Sequence, residues 1–364
     1  MSEDVLTHPH RRYNPLLDEW VLVSTGRTGR PWLGTREPAQ PDQLPSYDPT
    51  CYLCPGNVRA NGEANPSYDS TFVFTNDFAA LEPDTPIGEY RRGILRAEGE
   101  QGTCRVLCFS PRHDLDLAVM DPADVRGVVD LWADQSEELG QRYRWVQVFE
   151  NRGTTMGASN PHPHGQIWAG TALPVEAARE DAAQRRHLES TGRRLLLDYV
   201  TEEHAGSRVV LEDDEWLVAV PFWAVWPFET IIVAKRPVER LAGLSDHERS
   251  GLARNLVELL TRCDNLFAVA FPYSMGWHQA PYDVTRPDAT SPDATSPDAA
   301  PHDHWQLHAH VYPPLLRSAS VRKFIAGYEL LAERQRDLTA EEAAGRLRST
   351  SSVHYRAGTP ARSD

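Results

Sequence analysis

Lysine is nearly absent from this 364-residue chain: Lys235 and Lys323 stand alone against a large excess of arginine. That bias reflects genome composition and excludes no chemistry. Positive charge is also short, with 37 Lys and Arg against 52 Asp and Glu and a formal net charge of -15. A nucleic-acid binder would usually show a basic face, so that class is set aside. Small anionic substrates stay open, because a local basic pocket can sit on an acidic body. No apolar run approaches the ~20 residues a membrane helix needs. The start, MSEDVLTHPHRRYNP, lacks the apolar core of a secretion signal, and the expectation is a cytoplasmic protein. Cysteines number five, an odd count that makes no disulfide framework and fits a metal site better.

What is present suggests two domains or a duplicated fold, since the chain is too long for one small core. Residues 1–40 are polar and rich in Arg and Pro, an arm that either stays mobile or packs on a partner. Strand-like segments are expected at 20–23, 71–75, 105–109 and 143–150, with a helix over 122–143 and a long charged helix over 175–200. The second half repeats the rhythm, with strands at 208–211, 216–221, 230–234, 271–278 and 305–312. Helices are expected from Ser245, where Glu248 completes a capping box, from about Val321, and after Thr339, paired with Glu342. Each half carries an extended His-x-His segment, His162/His164 and His308/His310, as an internal duplication would. Residues 285–301 repeat Thr-Ser-Pro-Asp-Ala units that cannot build a core; the expectation there is a disordered insertion without chemistry.

The most informative stretch is Pro161-His162-Pro163-His164-Gly165-Gln166-Ile167. Its prolines favour extended backbone, in which alternate side chains share a face, so His162, His164 and Gln166 point together. Two imidazoles and an amide in register make little sense as packing. An imidazole titrates near ~6.5 and is mostly neutral at cytosolic pH, so His164 can attack a phosphoryl group and form a phosphoramidate. Gln166 can donate to a phosphate oxygen without offering a proton, whereas an acid in its place would favour hydrolysis.

Cys51-Tyr52-Leu53-Cys54 is a CxxC knuckle able to grip zinc, which takes about four ligands. A redox pair is the rival reading, but no thioredoxin-like βαβ unit surrounds it. Cys104 and Cys108 share one face of a strand and suit a core; His113 and His162 complete the preferred set. A second cluster is suggested by His308, His310 and His278 with a carboxylate, a mix suited to iron or zinc, with His304 near enough to compete. Surface histidines beside the insertion are the alternative.

Ser-Asn-Pro-His-Pro-His-Gly-Gln-Ile-Trp closely resembles the signature of the galactose-1-phosphate uridylyltransferases, the transferase branch of the histidine-triad superfamily. Further matches are Arg11–Leu16, Cys51–Asn57, Thr75–Phe78, Phe149–Gly153, His304–His310 and Lys323–Gln335. The resemblance implies an α+β fold of two histidine-triad-like halves, each an antiparallel sheet with flanking helices, divided as 1–178 and 179–364. It implies exchange of UMP between UDP-glucose and galactose 1-phosphate, giving UDP-galactose, with His164 the nucleophile and Gln166 its neighbour. Cys51, Cys54, His113 and His162 match the family's zinc ligands; Glu180, His278, His308 and His310 match a second site, iron or zinc. Arg27 and Arg30 match an arm reaching a neighbouring subunit, implying a homodimer. Asn76, Asp77, Asn151, Gly157 and Ser159 would line the nucleotide; Lys323, Ala326, Tyr328, Glu329 and Gln335 would face the sugar. A lysine there is a compact charge for a phosphate, or else part of a solvated helix face.

Two other readings compete. Another nucleotidyltransferase or phosphorylase of the superfamily would use His164 without the 323–335 wall. A zinc-stabilised nucleotide-binding protein would explain the knuckle but leave His164 and Gln166 without a task.

Overall fold

The structure, a computed structural model, describes residues 3–24, 44–284 and 302–358. Its centre is one nine-stranded antiparallel sheet. The strands are β1 (Phe72–Thr75), β2 (Gly102–Cys108), β3 (Trp145–Arg152), β4 (His164–Gly170), β5 (Val209–Glu212), β6 (Trp216–Ala219), β7 (Thr230–Ala234), β8 (Tyr273–His278) and β9 (His308–Tyr312). Their order is β1-β2-β4-β3-β8-β9-β7-β6-β5. Strands β1–β4 run 1-2-4-3, and β6–β9 mirror them as 8-9-7-6. Each set inserts one long helix between its second and third strand: α1 (Pro122–Gly140) and, from the second half, the helix Asp246–Phe267. The duplication expected from the two His-x-His segments is thus a repeat of topology. The halves do not keep separate sheets: β3 pairs with β8, Phe149 opposite Gly276, and fuses them.

Helix starts follow local chemistry. Pro122 occupies the first turn of α1, and the Asp121 carboxylate accepts from the Ala123 amide at 2.8 Å. The expected 175–200 helix is two, α2 (Val175–Thr191) and α3 (Leu195–Glu203), because Gly192 turns left-handed at φ 71° and caps α2. The helix Asp246–Phe267, α4, opens on the full Ser245/Glu248 capping box. The helix expected from about Val321 does not form. Leu315–Ser318 and Val321–Arg322 form a hairpin, followed by a single turn, α5 (Tyr328–Leu331), and Arg334–Arg336 pairs parallel with Glu19–Val23. The last helix, α6 (Ala340–Ser349), does begin at Thr339, whose hydroxyl accepts from the Glu342 amide. Within the described part of the arm, His10–Asn14 and Glu19–Val23 pair with each other as strands of the same chain. Residues 285–301 lie outside the described residues.

Helices α1 and α4 pack together on one face of the sheet, over Ile167 and Ala169 of β4, Ala309 and Val311 of β9 and Met275 of β8. Alternation along β4 therefore leaves His164, Gln166 and Trp168 on the other face. On β9 the partners opposite His308 and His310 are Val233 and Ile231, which pack in the core on that same second face. Both histidine motifs thus look away from the α1/α4 layer.

Candidate active site and metal centres

His164 opens β4 at the mouth of a polar cleft whose walls are Asn151, Gly157, Ala158, Ser159 and Gln166. The Gly-rich turn bends there because Gly157 sits at φ 85°. Gly165 is needed for closeness: a Cβ there would lie 2.7 Å from the Phe109 ring. His164 Nδ1 lies 2.7 Å from the His162 carbonyl oxygen. A carbonyl can only accept, so Nδ1 carries the proton and Nε2 keeps its lone pair. Burial lowers the His164 pKa, so the ring is neutral near pH 7. The Gln166 side-chain oxygen accepts from the Trp168 indole at 3.1 Å and from Asn76 at 3.5 Å. With its oxygen engaged, the amide NH₂ is the end left to meet a ligand. Trp168, quoted in the motif but given no part, is therefore a residue the sequence reading missed.

Other expected contacts are placed as follows. Asn151 accepts from Ser274 at 2.6 Å, across the β3–β8 junction. Asp77 is turned to Arg59 at 3.3 Å. Lys323 is no solvated helix residue: it is half-buried, bonded to the Gln335 carbonyl and paired with Glu329 at 2.8 Å. Glu329 also accepts from the Gln335 amide, while Tyr328 is exposed. Ala326 accepts from the Glu329 amide at 3.2 Å, within the same cluster. Arg27 and Arg30 lie outside the described residues.

The donor atoms of Cys51, Cys54, His113 and His162 lie within 4.8 Å of one another, all four residues buried. The His162 Nε2 lies 2.9 Å from the Ser110 carbonyl and 3.1 Å from the Tyr68 hydroxyl. Donation to Ser110 leaves Nδ1 bare, 3.6 Å from Cys54 Sγ, as a metal ligand requires. Burial lowers His162 to about 4, and pushes the Cys54 thiol up to about 11, so a thiolate there needs a cation. Cys51 Sγ accepts from Asn160 Nδ2 at 3.3 Å. Asn160 and Tyr68 were not foreseen; only their contacts reveal them. Cys104 and Cys108 are core residues, as expected.

Glu180, from α2, meets His278 at 2.7 Å, His308 at 3.4 Å and His310 at 3.6 Å. His308 repeats the device seen at His164: its Nδ1 is 2.8 Å from the carbonyl two residues back, here Gln306. Its Nε2, with both nitrogens of His310, is buried without a hydrogen-bond partner. Orphaned imidazole lone pairs around a carboxylate fit a cation. Burial opposes the charged form of His278, but the charge and hydrogen bond of Glu180 together raise its pKa, while burial lowers His310 to about 4. His304 does not compete here; it pairs with Asp181 at 2.7 Å.

Fused four-strand units, each with a motif histidine held on the carbonyl two residues back, have the architecture expected of a duplicated histidine-triad protein. Residues 1–174 match the model of the galactose-1-phosphate uridyl transferase N-terminal domain and 180–359 that of the C-terminal domain. The chain is 52% identical to a galactose-1-phosphate uridylyltransferase of Haemophilus influenzae, over 97% of each chain. It is 52% identical to that of Rattus norvegicus, over 96% of this chain and 89% of the relative. A solved uridylyltransferase structure superposes with a TM-score of 0.70 at 25% identity, covering 93% of this chain and 97% of the other. The chain belongs to the galactose-1-phosphate uridylyltransferase family.

Proposed function

We propose that this enzyme moves UMP between UDP-glucose and galactose 1-phosphate through a covalent uridylyl-histidine at His164. The observation that carries the reading is the bare Nε2 of His164, fixed by the His162 carbonyl, beside the outward amide of Gln166. Nε2 attacks the α-phosphorus, a P–N bond forms, the P–O bond breaks, and glucose 1-phosphate leaves with the bond pair. An oxygen of galactose 1-phosphate then attacks the same phosphorus, the P–N bond breaks, and UDP-galactose departs with His164 restored. Because the amide of Gln166 holds no acidic proton, it stabilises oxygen without helping water complete a hydrolysis. Asn76, Asp77, Asn151, Gly157 and Ser159 serve the nucleotide; Lys323, Ala326, Tyr328, Glu329 and Gln335 serve the sugar phosphate.

Cys51, Cys54, His113 and His162 would hold zinc, and Glu180, His278, His308 and His310 a second metal, iron or zinc; both cross-link the fold. The chain divides near residue 178 into its two repeats, a reading supported by the mirrored strand orders. The enzyme is cytoplasmic and homodimeric in this reading, with Arg27 and Arg30 reaching the neighbour. Exposed Phe324, Tyr328, Leu330 and Leu331 support a partner surface. No helix among the described residues is long and apolar enough to cross a membrane.

The test is exchange of labelled glucose 1-phosphate into UDP-glucose with no galactose 1-phosphate present. Wild-type protein should exchange label, and His164→Ala, folded by circular dichroism, should not. Absence of exchange in folded, metal-loaded wild type would mean direct transfer or another nucleotide.

A further inference from the structure

Next to the second metal centre lies a separate cluster that neither the transfer chemistry nor that centre uses. We propose that Asp181, His302 and His304 form an additional site for a divalent transition cation such as Zn²⁺ or Co²⁺. One donor atom from each of the three lies within 4.8 Å of the others. Asp181 follows Glu180 on α2, and successive helical side chains diverge by about 100°, so the two carboxylates serve different clusters.

His302 supplies the decisive geometry. Its Nε2 lies 2.9 Å from the Asp283 carboxylate, which can only accept, so Nε2 holds the proton. That tautomer makes Nδ1 a bare lone pair, and Nδ1 is buried with no hydrogen-bond partner. The arrangement repeats what Ser110 does for His162 and Gln306 for His308: an acceptor behind the ring fixes the nitrogen in front as a ligand. Asp181 is held by the Trp305 indole at 2.6 Å, with Arg185 at 3.4 Å on its other oxygen. His304 Nε2 shares a proton with Asp181 across 2.7 Å; a cation displaces that proton, which leaves to solvent. Two imidazoles and one carboxylate suit borderline metals better than Mg²⁺ or Ca²⁺.

The probe is Co²⁺ alone, dialysed to equilibrium against the full-length, tag-free protein, with bound metal counted by mass spectrometry. Wild type should take one more equivalent than His302→Ala, whose intense thiolate-to-cobalt absorption should match wild type because the cysteine knuckle is untouched. Asp283→Asn, at an exposed carboxylate, should retain the additional site with affinity lower by about tenfold to a hundredfold. Equal metal counts in wild type and His302→Ala would overturn the proposal, as would unchanged affinity in Asp283→Asn.

Discussion

One proton placement serves two different surroundings in the motif histidines. His164 and His308 both point Nδ1 at the carbonyl two residues back, so both present a bare Nε2. In the first half that nitrogen meets an open polar cleft, and in the second a buried carboxylate. The same local geometry thereby offers a free lone pair to a ligand in one place and to a possible cation in the other. Gln166 completes the difference, since its oxygen is committed to Trp168 and Asn76. Replacing it with histidine returns an acidic N–H to the phosphate. Gln166→His should therefore release UMP to water faster than wild type when incubated with UDP-glucose alone. A hydrolysis rate equal to wild type would remove the amide from the mechanism. That His164 and Gln166 share a face was legible in the sequence, because alternation along an extended segment is a local property, whereas Glu180 could be placed beside the second pair of histidines only through the family resemblance. The sequence left Trp168, Tyr68 and Asn160 silent, because their parts depend on a neighbour's proton or on chain folded back from far away.

Elements show the same divide between local and distant causes. The capped helices and the apolar run Thr230–Ala234 of β7 could be read directly, as caps and buried strands announce themselves within a few residues. The segment after Val321 could not. Its apolar spacing suits a helix, yet Phe324, Tyr328 and Leu331 are exposed, and Arg334–Arg336 is claimed by Glu19–Val23 from the far end of the chain. That small sheet is anchored by Arg12, 2% exposed, which grips Glu341 of α6 through two hydrogen bonds of 3.0 and 3.1 Å. Arg208 reaches the same carboxylate at 2.8 Å. Burial opposes the Glu341 charge, but Arg12 and Arg208 outweigh it and hold the pKa at about 2. A depressed carboxylate stabilises the fold fully above its unfolded value, ~4.3, and that contribution is lost as pH falls toward about 2. Glu341→Gln should lose about 2–3 kcal/mol at pH 7, read by urea unfolding. The gap to wild type should narrow between pH 4.5 and 2. A gap independent of pH would mean that packing of the side chain, not its charge, anchors the sheet.

For the whole molecule, the question is whether two repeats make two folding units. Duplication alone would let them unfold apart, but the packing argues otherwise. One apolar core takes in Val125, Val128 and Trp132 of α1 together with Leu252, Leu256 and Leu259 of α4. Trp277, on β8, touches Trp132 of the first half and Trp216 of the second, each with ring centres 6.2 Å away. Separating the halves would also bare the paired backbones of β3 and β8, whose unmet amides and carbonyls invite aggregation. Both costs fall on either half alone, so the chain should unfold as one unit. Trp277→Ala tests this, because a large-to-small change in a buried core costs about 3–5 kcal/mol and the loss is shared by whatever is cooperatively coupled. The buried thiols report on each side, Cys108 from the first repeat and Cys263 from the second. In a urea series with thiol labelling and peptide mapping, both cysteines of Trp277→Ala should become reactive together, at a lower concentration than in wild type. Labelling of Cys263 while Cys108 stays protected would mean that the sheet joins two independent cores.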